Sequence, residues 1–123
     1  MKLHLSNDHR FNLCTAYGDG YVEINKIRHE RNVLLRPGEL RPDWTPHDFA
    51  TLDEADFAQL AGLGVQVLLL GTGSRLRFPS PALMRPLIEA NIGLEVMDCA
   101  AACRTYNILV SEGRDVAAAL LLR

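Results

Sequence analysis

Apolar residues concentrate in three runs in the second half of the chain, whereas the first half alternates. Val65-Gln66-Val67-Leu68-Leu69-Leu70 is nearly continuous, the pattern of a strand buried on both faces. Gly93-Leu94-Glu95-Val96-Met97 predicts a short strand, and residues 116–122 predict a final one. Helical segments separate these runs. Residues 54–60 follow Thr51 or Asp53 as a cap, carry acids in the first turn, and end at Gly62 and Gly64. Ser80-Pro81 starts a helix running to about Asn91, and Pro86 within it predicts a kink or a late start. Asp98 is a good N-cap for a helix from Cys99 to about Ser111, with Glu112-Gly113-Arg114 as the turn out.

The first half reads differently. Tyr17-Gly18-Asp19-Gly20 is a turn, and Tyr21-Val22-Glu23-Ile24-Asn25 alternates with the period of a half-buried strand. Val33-Leu34-Leu35 is a second short apolar run, and the charged residues 26–32 between them read as a solvated face or turn. Together they predict a hairpin or meander. Residues 36–50 hold Pro37, Pro42, Pro46 and the single tryptophan, so they read as a long stiffened loop with Trp44 as its core anchor. The β-α-β-α-β order implies right-handed crossovers. The predicted fold is one α/β domain over residues 1–123. It is three-layered, with a central mixed, mostly parallel sheet, helices on its faces and a β-rich N-terminal part.

Composition narrows the functional classes. Of 123 residues, 48% are hydrophobic and 23% charged, enough apolar surface to exclude disorder and to build a core without staples. Thirteen basic against fifteen acidic residues give a net charge of −2, which argues against a general nucleic-acid binder. Cys14, Cys99 and Cys103 are odd in number and form no CxxC, which fits a reducing compartment. The first ten residues are too polar for a signal peptide and lack the Arg-rich stripe of a transit peptide. The longest apolar run falls well below the roughly 20 residues of a membrane span. A cytoplasmic protein is expected.

The candidate chemistry sits at the end of the most apolar strand. In open α/β sheets, ligands bind beyond the carboxyl ends of strands. There Gly71-Thr72-Gly73-Ser74-Arg75-Leu76-Arg77 offers glycines that admit an anion to the backbone, with Arg75 and Arg77 as charged contacts. It matches neither GxGxxG, because Leu76 stands where glycine is needed, nor the Walker loop. The glycines could equally serve only to shape the strand exit. The helix start at Asp98 should point to the same edge, although Asp98 as a cap competes with an external anion. Cys99 and Cys103 are four apart on that helix. They lack the further ligands of a zinc site and a histidine base, so packing thiols are the better reading. His4, His9, His29 and His47 share no ligand-like spacing, and Asp53, Glu54 and Asp56 read as a helix-start cluster. No catalytic set, metal site or cofactor is expected.

Three pieces of the chain carry a resemblance. They are Val67-Leu68-Leu69-Leu70-Gly71-Thr72-Gly73 followed by Arg77-Phe78-Pro79, the stretch 93–109 with its Ala-Cys-Arg-Thr-Tyr-Asn block, and the stretch 112–120 opening on Glu-Gly-Arg. With Pro42-Asp43-Trp44 and the Tyr21 strand, they resemble the family of mitochondrial respiratory complex I assembly factor three and its uncharacterised bacterial relatives. The resemblance covers nearly the whole chain. It implies a three-layer fold with a mixed sheet, a protein partner and no established enzymatic activity, so it carries over no catalytic residue. It also implies that Gly71, Thr72 and Gly73, together with Asp98, Arg104 and Tyr106, shape a shared surface feature. The absence of a presequence points to a bacterial, cytoplasmic member.

Two functions follow. One is a non-catalytic protein-interaction or assembly factor, with respiratory-complex subunits as the partners to test. The other is a small-molecule or anion-binding domain, an enzyme being one form of it, with Cys99 beside the Gly71–Gly73 loop and Asp98.

Overall fold

The computed structural model describes residues 11–123. The N-terminal stretch read for targeting signals lies outside the described residues, as do His4 and His9. Eight strands and three helices follow in order. They are β1 (Cys14–Gly18), β2 (Tyr21–Ile24), β3 (Ile27–His29), β4 (Val33–Arg36), β5 (Glu39–Pro42), α1 (Glu54–Ala61), β6 (Val67–Thr72), α2 (Pro81–Glu89), β7 (Gly93–Met97), α3 (Cys99–Ser111) and β8 (Val116–Leu121).

The strands form two sheets, a small antiparallel one in the order β1-β2-β3 and a mixed one in the order β5-β4-β8-β6-β7. Parallel pairing is confined to β7-β6-β8, while β8-β4 and β4-β5 run antiparallel. The hairpin expected between the Tyr21 and Val33 runs is therefore corrected. β2 turns at once into β3, and β4 belongs to the other sheet. Asn25 and Lys26 both take positive φ, 49° and 73°, which is the twist a two-residue hairpin turn needs. The long loop expected over 36–50 is also shortened. Residues 39–42 pair with β4, and Pro42 is tolerated at the end of an edge strand.

Each face of the mixed sheet carries its own core. Leu68 and Leu70 point one way with Ala117, Ala119 and Leu121, packing against Phe57 and Leu60 of α1, Leu87 of α2 and Trp44. Leu69, Ala118 and Leu120 point the other way, against Cys103 and Tyr106 of α3 and Val22 and Ile24 of the small sheet. All six residues of β8 are fully buried, and its three alanines let elements approach closely on both faces. Trp44 is buried, and its indole N–H donates to the Leu120 carbonyl at 3.3 Å.

The helix ends follow their caps. Asp53, not Thr51, caps α1 in a reciprocal box with Asp56; Thr51 closes a similar box with Asp48 around the short turn Phe49–Thr51. α2 begins at Pro81 and continues through Pro86. Asp98 caps α3 by accepting the Ala101 amide at 2.8 Å.

Candidate functional site

The glycine loop and the start of α3 meet at the carboxyl edge of the parallel ladder. Thr72 is fully buried at the end of β6. Its hydroxyl lies 2.7 Å from the Arg75 carbonyl and accepts the Arg77 amide at 3.0 Å, which folds the loop back on itself. Gly73 sits at φ +90°, a region closed to most side chains. Its carbonyl accepts the Cys99 amide at 2.8 Å, and its amide points to the Cys99 sulfur at 3.3 Å. The Cys99 thiol donates in turn to Leu121 O at 3.0 Å. One sulfur thus ties together the ends of β6 and β8 and the first turn of α3. Burial pushes this thiol up to about 11, so it stays protonated at neutral pH.

Above this junction lies a cleft of about 370 Å³. Its floor is Gly73, Ser74 and residues 98–100; its walls are Leu122 and the β1–β2 turn, residues 17–20. The sequence marks residues 17–20 as a turn but gives no sign that they belong to the site. The small sheet is delivered to the cleft by contacts with α3 that span about ninety residues of sequence, and no local motif encodes them. Among the described residues, two carboxylates, Asp19 and Asp98, belong to the lining, and no lysine or arginine does.

The remaining candidates are placed as follows. Gly71 is buried under Leu120, Cys99 and Ala102, which leaves no room for a Cβ. The Arg75 side chain is exposed. Arg77 turns inward, donating to Thr72 O at 2.6 Å and Arg123 O at 3.1 Å and stacking over Phe49 at 4.6 Å. It acts as a clamp within the fold. Arg104 donates to the Tyr17 hydroxyl at 2.9 Å on the cleft's outer rim. Tyr106 is fully buried, with its hydroxyl on Asn12 O at 2.7 Å, so it supports the small sheet from below.

A second polar cluster lies elsewhere. His47 Nδ1 is 2.7 Å from Asp56 Oδ2 and 3.9 Å from Asp53 Oδ2. The hydrogen bond to Asp56 raises the His47 pKa. For Asp56, burial raises the pKa, but hydrogen bonds from Thr45, His47 and the Asp53 backbone outweigh it and leave the carboxyl low. Single ligand atoms of His47, Asp53 and Asp56 lie within 4.8 Å of one another, a spacing that suits a metal ion. The same carboxylates already cap α1 and hold the His47 ring, and that accounts for the cluster without an ion.

Eight strands and three helices in a mixed α/β arrangement, with a cleft at one sheet edge, define a small α/β domain of the Mth938-like type. A solution structure of a Bordetella pertussis protein described as an Mth938-like domain superposes with a TM-score of 0.81, at 36% identity over 98% of this chain and 92% of that one. A crystal structure of a Bordetella parapertussis protein gives 0.83, at 43% identity over 90% and 95%. The family model described as "Protein of unknown function (DUF498/DUF598)" matches residues 14–121, and the chain belongs to this family. It is 37% identical over 106 residues to an uncharacterised protein of Rhodobacter capsulatus, covering 86% of this chain and 81% of that one. It is also 31% identical over 96 residues to NADH dehydrogenase (ubiquinone) 1 alpha subcomplex assembly factor 3 of Bos taurus, covering 73% of this chain and 52% of that one. The chain thus spans about half the length of that assembly factor. The resemblance carried by the three sequence pieces holds.

Proposed function

We propose that this chain is a non-catalytic assembly factor that binds a protein partner during construction of a respiratory complex. The observation that carries this reading is its kinship with assembly factor 3 over most of its length. The cleft supports it as the working surface, being concave, mainly apolar and built from backbone-rich turns. The same reading takes the chain as a single three-layer domain acting in the cytoplasm. No helix among the described residues is long and apolar enough to cross a membrane.

The test is affinity purification of the tagged protein from its native organism, with mass spectrometry of what is retained. Subunits of a respiratory NADH dehydrogenase are expected to be enriched over an untagged control. Recovery of the intact protein with no specific companion overturns the reading.

A second reading, a small-molecule site at the Gly71–Gly73 loop and Asp98, is supported by the cleft's volume, at the lower end for ligand pockets. The charge of the lining favours a neutral or cationic compound over an anion. A metabolite screen by thermal shift tests it, and a rise in melting temperature that Ala100→Trp abolishes would support it.

A further inference from the structure

The walls and charges of the cleft describe its occupant. Tyr17, Ala100 and Leu122 provide apolar surface, and the carboxylates of Asp19 and Asp98 provide the only full charges of the lining among the described residues. Asp98 spends one oxygen on the Ala101 amide, and among the described residues its other oxygen has no bonded partner. Arg104 interacts with Asp98 through space, but it is held on the Tyr17 hydroxyl at 2.9 Å and does not belong to the lining. The α3 N-terminus contributes about half a positive charge, less than the full negative charge of Asp98 that caps it. An anion entering the cleft would therefore meet net repulsion. A bare apolar side chain would fill the volume but leave the carboxylates without a partner. A long unbranched stem ending in a point cation satisfies both features, its methylenes lying along the wall and its head remaining at the carboxylates.

We propose that the cleft receives a lysine side chain presented by an extended segment of the partner protein. This rests on the assembly-factor reading for the existence of a partner, but the preference for lysine is a property of the cleft alone. The volume of about 370 Å³ accommodates one such side chain with its flanking backbone, not a folded domain. The partner's contribution is thus a single anchoring residue, as is common where a few side chains dominate an interface.

The experiment is an NMR titration of the isotope-labelled full chain with three capped tripeptides, Gly-Lys-Gly, Gly-norleucine-Gly and Gly-Glu-Gly. The lysine peptide is expected to shift the amides of residues 18–20, 73–74 and 99–100 in the millimolar range. The double variant Asp19→Asn, Asp98→Asn keeps the cap of α3, because an asparagine side-chain oxygen accepts the same backbone amide. It should bind the lysine peptide about tenfold more weakly. Equal binding of the norleucine peptide, preference for the glutamate peptide, or no shift at these amides overturns the proposal. The double variant is also carried through the affinity purification. Capture that fails for the wild type while the titration succeeds removes the assembly reading alone. Capture that survives in the double variant, with a flat titration, removes the lysine cleft alone.

Discussion

Asn107 of α3 grips the backbone of Cys14 of β1 with both ends of its side-chain amide. Its oxygen accepts the Cys14 amide at 3.0 Å, and its nitrogen donates to the Cys14 carbonyl at 2.8 Å. An amide side chain here imitates a neighbouring strand and fastens the small sheet to the helix, which sets the wall of the cleft. Asn107→Ala leaves a donor and an acceptor of β1 unpaired in a half-buried place, and about 2 kcal/mol of stability should be lost. Urea denaturation measures this. Amide exchange should quicken across β1 and β2 before it does so in β6 and β8.

Gly71 carries a packing prediction. A Cβ there would lie 2.9 Å from Leu120 Cδ2, 3.0 Å from Cys99 Sγ and 3.3 Å from Ala102 Cβ. Gly71→Ala should therefore cost about 1–3 kcal/mol through overpacking. If the midpoint of denaturation does not move, the tight junction between β6 and α3 is not real.

The Cys99 thiol should be inert. At about 11 rather than the ordinary 9.0, it holds about a hundredth of the normal thiolate at neutral pH, and iodoacetamide labelling should slow in proportion. Labelling should accelerate as pH rises toward 11. Fast modification at pH 7 would contradict the burial that holds this thiol protonated.

His47 and Asp56 predict a pH window. The His47 pKa is raised in the folded state, chiefly by its hydrogen bond to Asp56, so its contribution is complete below about 6.5 and fades as pH rises through the folded value. The Asp56 pKa is lowered, so its contribution is present above the ordinary carboxylate value and is lost as pH falls through the folded value. Melting temperature should peak between these limits. His47→Gln should remove the decline on the alkaline side, and Asp56→Asn should flatten both sides.

Much of this arrangement is written locally. Asp98 before a small-residue run marks α3 at its observed bounds, Cys99–Ser111, and the leucine run marks β6 with a shift of two residues. The glycine loop and the start of α3 are legible as neighbours because a parallel ladder must bring them to one edge. What is not legible depends on distant pairing. β3 hides in a charged segment because an edge strand tolerates Arg28 and His29, and its turn uses Asn25-Lys26 with no glycine to signal it. β4 looks like a partner for β2, but β8, more than eighty residues on, claims it. Arg77 reads as an anion ligand, yet the carbonyls of Thr72 and Arg123 engage it first. Tyr106 reads as part of a surface feature, but helical phase turns it into the core. His47 and Asp56, nine residues apart, meet only because the loop after β5 folds back over the first turn of α1.

The buried central strand β8 has a consequence for how the molecule is made. It separates the antiparallel block β4-β5 from the parallel block β6-β7, and those blocks share no ladder of their own. A chain emerging from the ribosome therefore produces both blocks with bare inner edges and holds them apart until residues 116–121 follow. The strand that joins the sheet comes after all the other described strands in the chain, so the sheet closes only once they have emerged. Until then two unpaired edges stand open to pairing with the wrong neighbour.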